Sequence, residues 1–297
     1  MRIRVIGVPM DLGADRRGVD IGTSAIRYAG LNDQLRRLDY QVQDTGNIHV
    51  PQPESQPTGN PRVKYLEPIV RVAEELADVV TAALTENEFP LILGGDHSIA
   101  LGSITGVTRV HKDVGLLWID AHGDFNTEET TPSGNIHGMV LAALAGLGNS
   151  HLTGVGGWAP KLTMQTIVIV GARDLDQGER ELLRTHHVHV FTMPDIDQQG
   201  ISSVMRQALA IAGQANDGIH VSLDMDALDP AYAPGVGTPV RGGLTYREAH
   251  LAMETVADSG RLVAMDVVEV NPILDRENAT ALLAVELVMS ALGKKIF

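Results

Sequence analysis

Eight short apolar runs, each separated from the next by a helical or polar stretch, constrain the fold of this chain more than any other feature. They are Arg2–Val8, Tyr40–Asp44, Pro90–Leu93, Gly115–Ile119, Thr166–Val170, His187–Phe191, Ile219–Leu223 and Leu262–Glu269. Runs this short and rich in Val, Ile and Leu read as buried strands. Between them lie helix candidates. Leu66–Glu86 is long and amphipathic, Gly178–Thr185 opens on acid, and Ser202–Ala215 is rich in Ala. Thr245-Tyr-Arg-Glu248 is a capping box, and Ala279–Leu292 is apolar on most sides, as a buried helix would be. The rhythm predicts an α/β fold: a single domain built on an eight-stranded, mostly parallel sheet with helices on both faces. No composition shift marks a second domain, so 1–297 reads as one unit. His49–Arg62, with four prolines, reads as a surface loop, and Asp11–Gly22, with Gly13, Gly18 and Gly22, as a turn rather than a site.

Three of the runs lead directly into acid and imidazole. Gly115–Ile119 is followed by Asp120-Ala-His122-Gly-Asp124, Ile219–Leu223 by Asp224-Met-Asp226, and Pro90–Leu93 by Gly94-Gly95-Asp96-His97. In extended backbone, residues two apart share a face, so each segment points its polar groups one way. Parallel sheets build their sites at the carboxyl ends of strands. Crowded carboxylates raise one another's pKa and cost stability unless a cation sits among them. One such segment is compatible with a solvated loop; three together point to a metal centre.

His97, Asp120, His122, Asp124, Asp224 and Asp226 are too many ligands for one open catalytic metal and suit two metals with shared carboxylates. Two dications balance the four carboxylates, and a bridging hydroxide leaves the cluster slightly negative. That favours a cationic electrophile over a phosphate ester, since the three motifs hold no Lys or Arg. Oxygen-dominated donors with some imidazole favour Mn²⁺, with Co²⁺, Fe²⁺ and Zn²⁺ as alternatives. Two metals can supply hydroxide at neutral pH by lowering the pKa of water to roughly 7. The formal charge of −14 argues against nucleic acid and anionic membranes as partners. The absence of cysteine excludes disulfides and thiolate chemistry. No apolar run approaches the ~20 residues of a membrane span, and the chain enters a strand at once without a signal-peptide pattern, so a cytoplasmic location is expected.

Taken in order, GGDHS (94–98), DAHGDFNT (120–127) and SLDMDALDP (222–230) resemble the three metal signatures of the ureohydrolases, the family of arginases and agmatinases. The resemblance runs from Val5-Ile-Gly-Val-Pro to Glu269-Val-Asn-Pro272 and is strongest to bacterial-type arginases. It rests on Asn126–Gly138, similar to the arginase substrate loop, and on Gly171–Glu179, similar to the arginase acidic loop. The implied fold is the three-layer arginase type. The implied reaction is hydrolysis of the L-arginine guanidinium to L-ornithine and urea, with a metal-bridging hydroxide as nucleophile. By resemblance, one metal takes His97, Asp120, Asp124 and Asp224, and the other His122, Asp120, Asp224 and Asp226. Asp124 would also hold the hydroxide.

His137 is implied as proton shuttle, its unperturbed pKa near roughly 6.5 suiting that task. Glu269 would pair with the guanidinium, with Thr238 on it or beside it. Asn126, Ser133 and Asn135 would hold the substrate carboxylate; Asp174, Asp176 and Glu179 would hold its α-ammonium. Asp96 and Asp229 read as supporting residues, and His186, His187 and His189 as surface or strand positions. Two departures stand out. Glu128 replaces the proline of many arginases and, with Glu129, adds acid to the substrate loop; and the chain stops at Phe297 where longer members carry an extension that assists assembly. A homotrimer or homohexamer is expected, with Arg247 and Glu248 in inter-subunit ion pairs. The alternatives are an agmatinase or guanidinobutyrase and, more remotely, a dinuclear metallophosphatase.

Overall fold

The computed structural model describes residues 1–295. Eight strands form one sheet: β1 (Arg2–Val8), β2 (Gln41–Asn47), β3 (Phe89–Gly94), β4 (Gly115–Ile119), β5 (Ile167–Ala172), β6 (His189–Thr192), β7 (Ile219–Asp224) and β8 (Leu262–Val268). Their order is β2-β1-β3-β8-β7-β4-β5-β6, and every pairing is parallel. The expected "mostly parallel" sheet is thus wholly parallel, because each strand returns through a helical crossover. The helices are α1 (Gly22–Tyr28), α2 (Leu31–Arg37), α3 (Leu66–Thr85), α4 (Ala100–Val110), α5 (Val140–Leu144), α6 (Ser150–Thr153), α7 (Gln177–Thr185), α8 (Met193–Gln199), α9 (Ile201–Ala212), α10 (Tyr246–Ser259) and α11 (Ala279–Ala291). None is long and apolar enough to cross a membrane.

Strand alternation sorts the side chains into two apolar layers. Leu117 and Ile119 pack with α9, α10 and α11 on one face, while Leu116 and Trp118 pack with α3, α4 and α5 on the other. The edge strands depart most from the expected bounds. β2 runs on into polar Asp44–Asn47 because it pairs on one side only, with β1, and backbone hydrogen bonds rather than burial hold it. β6 begins at His189 because His187 takes a left-handed backbone (φ 54°) just past α7. His49–Arg62 is a loop with one short 3-10 turn at Pro53–Ser55, as expected. The capping box at Thr245 and Glu248 is present at the start of α10, and α11 is largely buried.

The crossovers put β3, β8, β7 and β4 side by side in the middle of the sheet. Those four strands lead into Asp96–His97, Glu269, Asp224–Asp226 and Asp120–Asp124. Residues separated by more than a hundred positions therefore meet at one edge of the sheet.

Candidate active site

The backbone does more than extend each strand. Asp120 to Asp124 lie beyond β4, and Asp124 adopts a left-handed conformation (φ 50°) that turns it back towards its neighbours. Asp226 sits in a 3-10 turn whose entry is capped by the Asp224 carboxylate, which accepts from Asp226 N at 2.7 Å. His97 begins a similar turn capped by Asp96. Convergence thus comes from tight turns at the strand ends, not from the two-residue alternation that the sequence suggested. Glu269, the first residue past β8, also has a left-handed backbone (φ 64°).

His97 is fully buried, and its Nδ1 makes no hydrogen bond. Carboxylate oxygens of Asp120, Asp124 and Asp224 lie 3.1, 3.2 and 3.2 Å from it. His122 Nδ1 lies 3.3 Å from the other Asp120 oxygen and 3.1 Å from Asp226. Among the described residues two groups could each hold a metal ion: His97, Asp120 and Asp224, and Asp120, His122 and Asp226. Asp120 faces both imidazoles with different oxygens, as a shared ligand does. Burial and the neighbouring carboxylates push Asp224 well above the usual carboxylate range and Asp124 up to about 6. Burial acts the same way on Asp120, but the facing His122 and His97 imidazoles outweigh it and hold that carboxyl low. An unpartnered buried imidazole nitrogen among crowded carboxylates fits divalent metal ions, which satisfy both at once.

The His97 imidazole is held from behind. His97 Nε2 meets Ser222 Oγ at 2.8 Å, and its ring stacks on Trp118 at 3.8 Å. Ser222 reaches Asp266, which also accepts from Ser103 at 2.7 Å and meets His220 Nε2 at 3.0 Å. All of these are buried. No motif in the sequence marks this support; its one signal is Asp266, a lone acid inside the apolar strand β8.

A cavity of about 230 Å³ opens beside the cluster. His122, Asp124, Asp224 and Asp226 line it with Asn126, Pro132, His137 and Gly138 of the following loop, and with Asp174, Asp176, Glu179 and Thr238. Asn126 Nδ2 donates to Asp176 at 2.7 Å, tying the two loops together, and the other Asp176 oxygen caps α7. Glu179 is buried and accepts from Phe125 N at 2.9 Å; burial pushes its carboxyl up to about 8. Thr238 donates to Asp226 at 2.8 Å, so it supports a candidate metal ligand. Ser133 and Asn135 lie outside the cavity lining; exposed Ser133 accepts from Asn135 N at 3.1 Å.

His137 and Glu269 form a pair, with Nδ1 and Oε1 3.2 Å apart. Burial lowers the His137 pKa, but the Glu269 carboxylate more than offsets it and raises the imidazole to about 9. The unperturbed titration expected from sequence is therefore not what the site gives. Glu269 also accepts from His97 N at 2.9 Å, which links the shuttle candidate to a metal-ligand candidate. Asp96, buried and pushed up to about 6 by burial and by Glu269, accepts from Gly13 N at 2.7 Å, and Gly13 O accepts from His137 N at 3.1 Å. The Asp11–Gly22 turn therefore braces the site, a role its glycines alone did not reveal.

A sequence profile of the Arginase family matches residues 1–293. The chain belongs to the arginase family. It is 53% identical over 292 residues to an arginase of Brevibacillus brevis, covering 98% of each chain. The fold matches the crystal structure of Bacillus caldovelox arginase with a TM-score of 0.97 at 48% identity over 99% of each chain. It also matches Entamoeba histolytica arginase in complex with L-ornithine, at a TM-score of 0.90 and 32% identity over 99% of each chain. As an arginase-family chain, this protein is a hydrolase, and the three segments that carried the resemblance supply its candidate metal centre.

The two departures can be placed in part. Glu128 is half-buried and Glu129 exposed, and neither lines the cavity. Their carbonyls accept from the Arg62 guanidinium at 2.7 and 2.6 Å, so this stretch is clamped by its backbone. Phe297 lies outside the described residues. Arg247 pairs with Glu254 at 3.2 Å, and Glu248 caps α10, so both have partners within the chain.

Proposed function

We propose that this chain hydrolyses L-arginine to L-ornithine and urea at a dinuclear metal centre. The observation that carries this is the unpartnered, fully buried His97 Nδ1 facing three carboxylates beside an acidic cavity. His97, Asp120, Asp124 and Asp224 would hold one ion, and His122, Asp120, Asp224 and Asp226 the other. The oxygen-rich donor set favours Mn²⁺. When bound, two such ions supply hydroxide near neutral pH by lowering the pKa of water to roughly 7.

The chain's own residues do the rest. Six acidic side chains line the cavity, which favours a guanidinium and an α-ammonium and disfavours anionic electrophiles such as phosphate esters. Asp174, Asp176 and Glu179 take the ammonium, and Asn126, Ser133 and Asn135 at the loop take the carboxylate. Glu269 keeps Oε1 on His97 N and His137, leaving Oε2, which faces Gly237, for the guanidinium. Hydrolysis forms a carbon–oxygen bond and breaks the bond to the ornithine side-chain nitrogen, which must gain a proton to leave. His137, protonated through its pairing with Glu269, gives that proton from Nε2.

The same reading takes residues 1–297 as one ureohydrolase domain and the working form as a homotrimer or homohexamer, with Arg247 and Glu248 exchanging their partners within the chain for others across subunits. Steady-state kinetics test the substrate: kcat/KM for L-arginine should exceed that for agmatine. Faster turnover of agmatine would contradict the assignment.

A further inference from the structure

We propose that Lys64 is a positioning residue for recognition of the substrate carboxylate, acting through the Asn135 side chain. The proposal rests on the L-arginine reading above. Among the described residues no Lys or Arg lines the cavity, yet a zwitterionic substrate must bring a carboxylate to a rim surrounded by acid. Lys64 is a cation that reaches the side chain of Asn135 in the substrate loop. Its Nζ donates to Asn135 Oδ1 at 3.0 Å and pairs with Asp15 at 2.8 Å. Its backbone N donates to Gly134 O at 3.0 Å, so main chain and side chain grip adjacent residues of the substrate loop.

An amide presents an acceptor on one side and two donors on the other, and only the donors suit a carboxylate. Lysine has donors only, so its contact fixes Oδ1 towards Nζ and turns the Nδ2 side away from it. Asp15 adds to this by holding the ammonium in place with both carboxylate oxygens, at 2.8 and 3.1 Å. Lys64, held by Asp15, thus sets the amide orientation and leaves the Nδ2 donors for a ligand. The ammonium also polarises the amide and offsets nearby negative charge. Lys64 is only about one-fifth exposed, so solvent screens this little.

The test is a set of variants assayed with L-arginine as metal-loaded enzyme. Lys64→Met should raise KM about 10-fold with kcat within about twofold, the pattern of lost binding rather than lost chemistry. Lys64→Arg, which keeps donors and charge, should recover most of the loss. In an Asn135→Ala background, Lys64→Met should add no further rise in KM, because the route through Asn135 is gone. The dissociation constant of L-ornithine should follow KM in every variant. An unchanged KM in Lys64→Met, a loss confined to kcat, or effects of Lys64→Met and Asn135→Ala that multiply would each overturn the inference while leaving the arginase reading intact. An unsubstituted chain that turns over agmatine faster than L-arginine would remove the parent reading, and this inference with it.

Discussion

Asp124 and Glu269 hold left-handed backbones that residues with a Cβ adopt at a cost of about 1–3 kcal/mol each. Both costs are met at the site: Asp124 is turned towards His97, and Glu269 bridges His97 N and His137. The candidate ligand types were legible in the sequence because Asp and His follow buried strands, but the turns that gather them depend on dihedral angles that no residue type announces. The same holds for His137, whose identity marked it as an acid or base while its titration is set by Glu269, 132 positions away. A histidine whose folded pKa is raised from about 6.5 to about 9 contributes stability that is complete below the lower value and lost as pH rises through the upper. In His137→Asn, kcat should fall about 100-fold with bound metal unchanged. The stability deficit of this variant against the parent, measured by urea unfolding at pH 6, should close as pH passes 9. Unchanged urea release with metal retained would remove the shuttle role.

At the scale of elements, the strands and the long helices were readable because burial writes a period into the sequence. α4 was not. Its sequence, Ala-Leu-Gly-Ser-Ile-Thr-Gly-Val-Thr-Arg-Val, carries two glycines and several β-branched residues, which disfavour helix in isolation. It forms because those glycines let α3 approach: a Cβ at Gly102 would lie 2.6 Å from Ala73 O, and one at Gly106 would lie 2.7 Å from Ala77 O. Tertiary packing overrides propensity here, and substitution can tell the two apart. Propensity alone says that Gly106→Ala stabilises by about 1 kcal/mol. The close helix contact says that it destabilises by roughly 1–3 kcal/mol, as overpacking does. Chemical unfolding should show the second sign; a more stable variant would refute the packing account of α4.

For the molecule as a whole, the strand order turns scattered motifs into one centre. Chain order separates Asp96 from Glu269 by most of the sequence, yet β3 and β8 are neighbours, as are β8 and β7, and β7 and β4. The presence of a parallel sheet followed from the βα rhythm, whereas the order of its strands did not, because pairing across the sheet leaves no local mark. Net negative charge is also organised at this scale: the acidic cavity suits a cationic substrate, and the cluster of buried carboxylates calls for divalent ions. The most direct test of the account removes those ions. The chain is stripped of metal and assayed for urea from L-arginine as Mn²⁺ is added back. The account predicts no urea without metal, and activity that saturates at about two ions per chain as L-ornithine forms in equal amount. Full turnover by the metal-free chain, or saturation at a single ion, would contradict it.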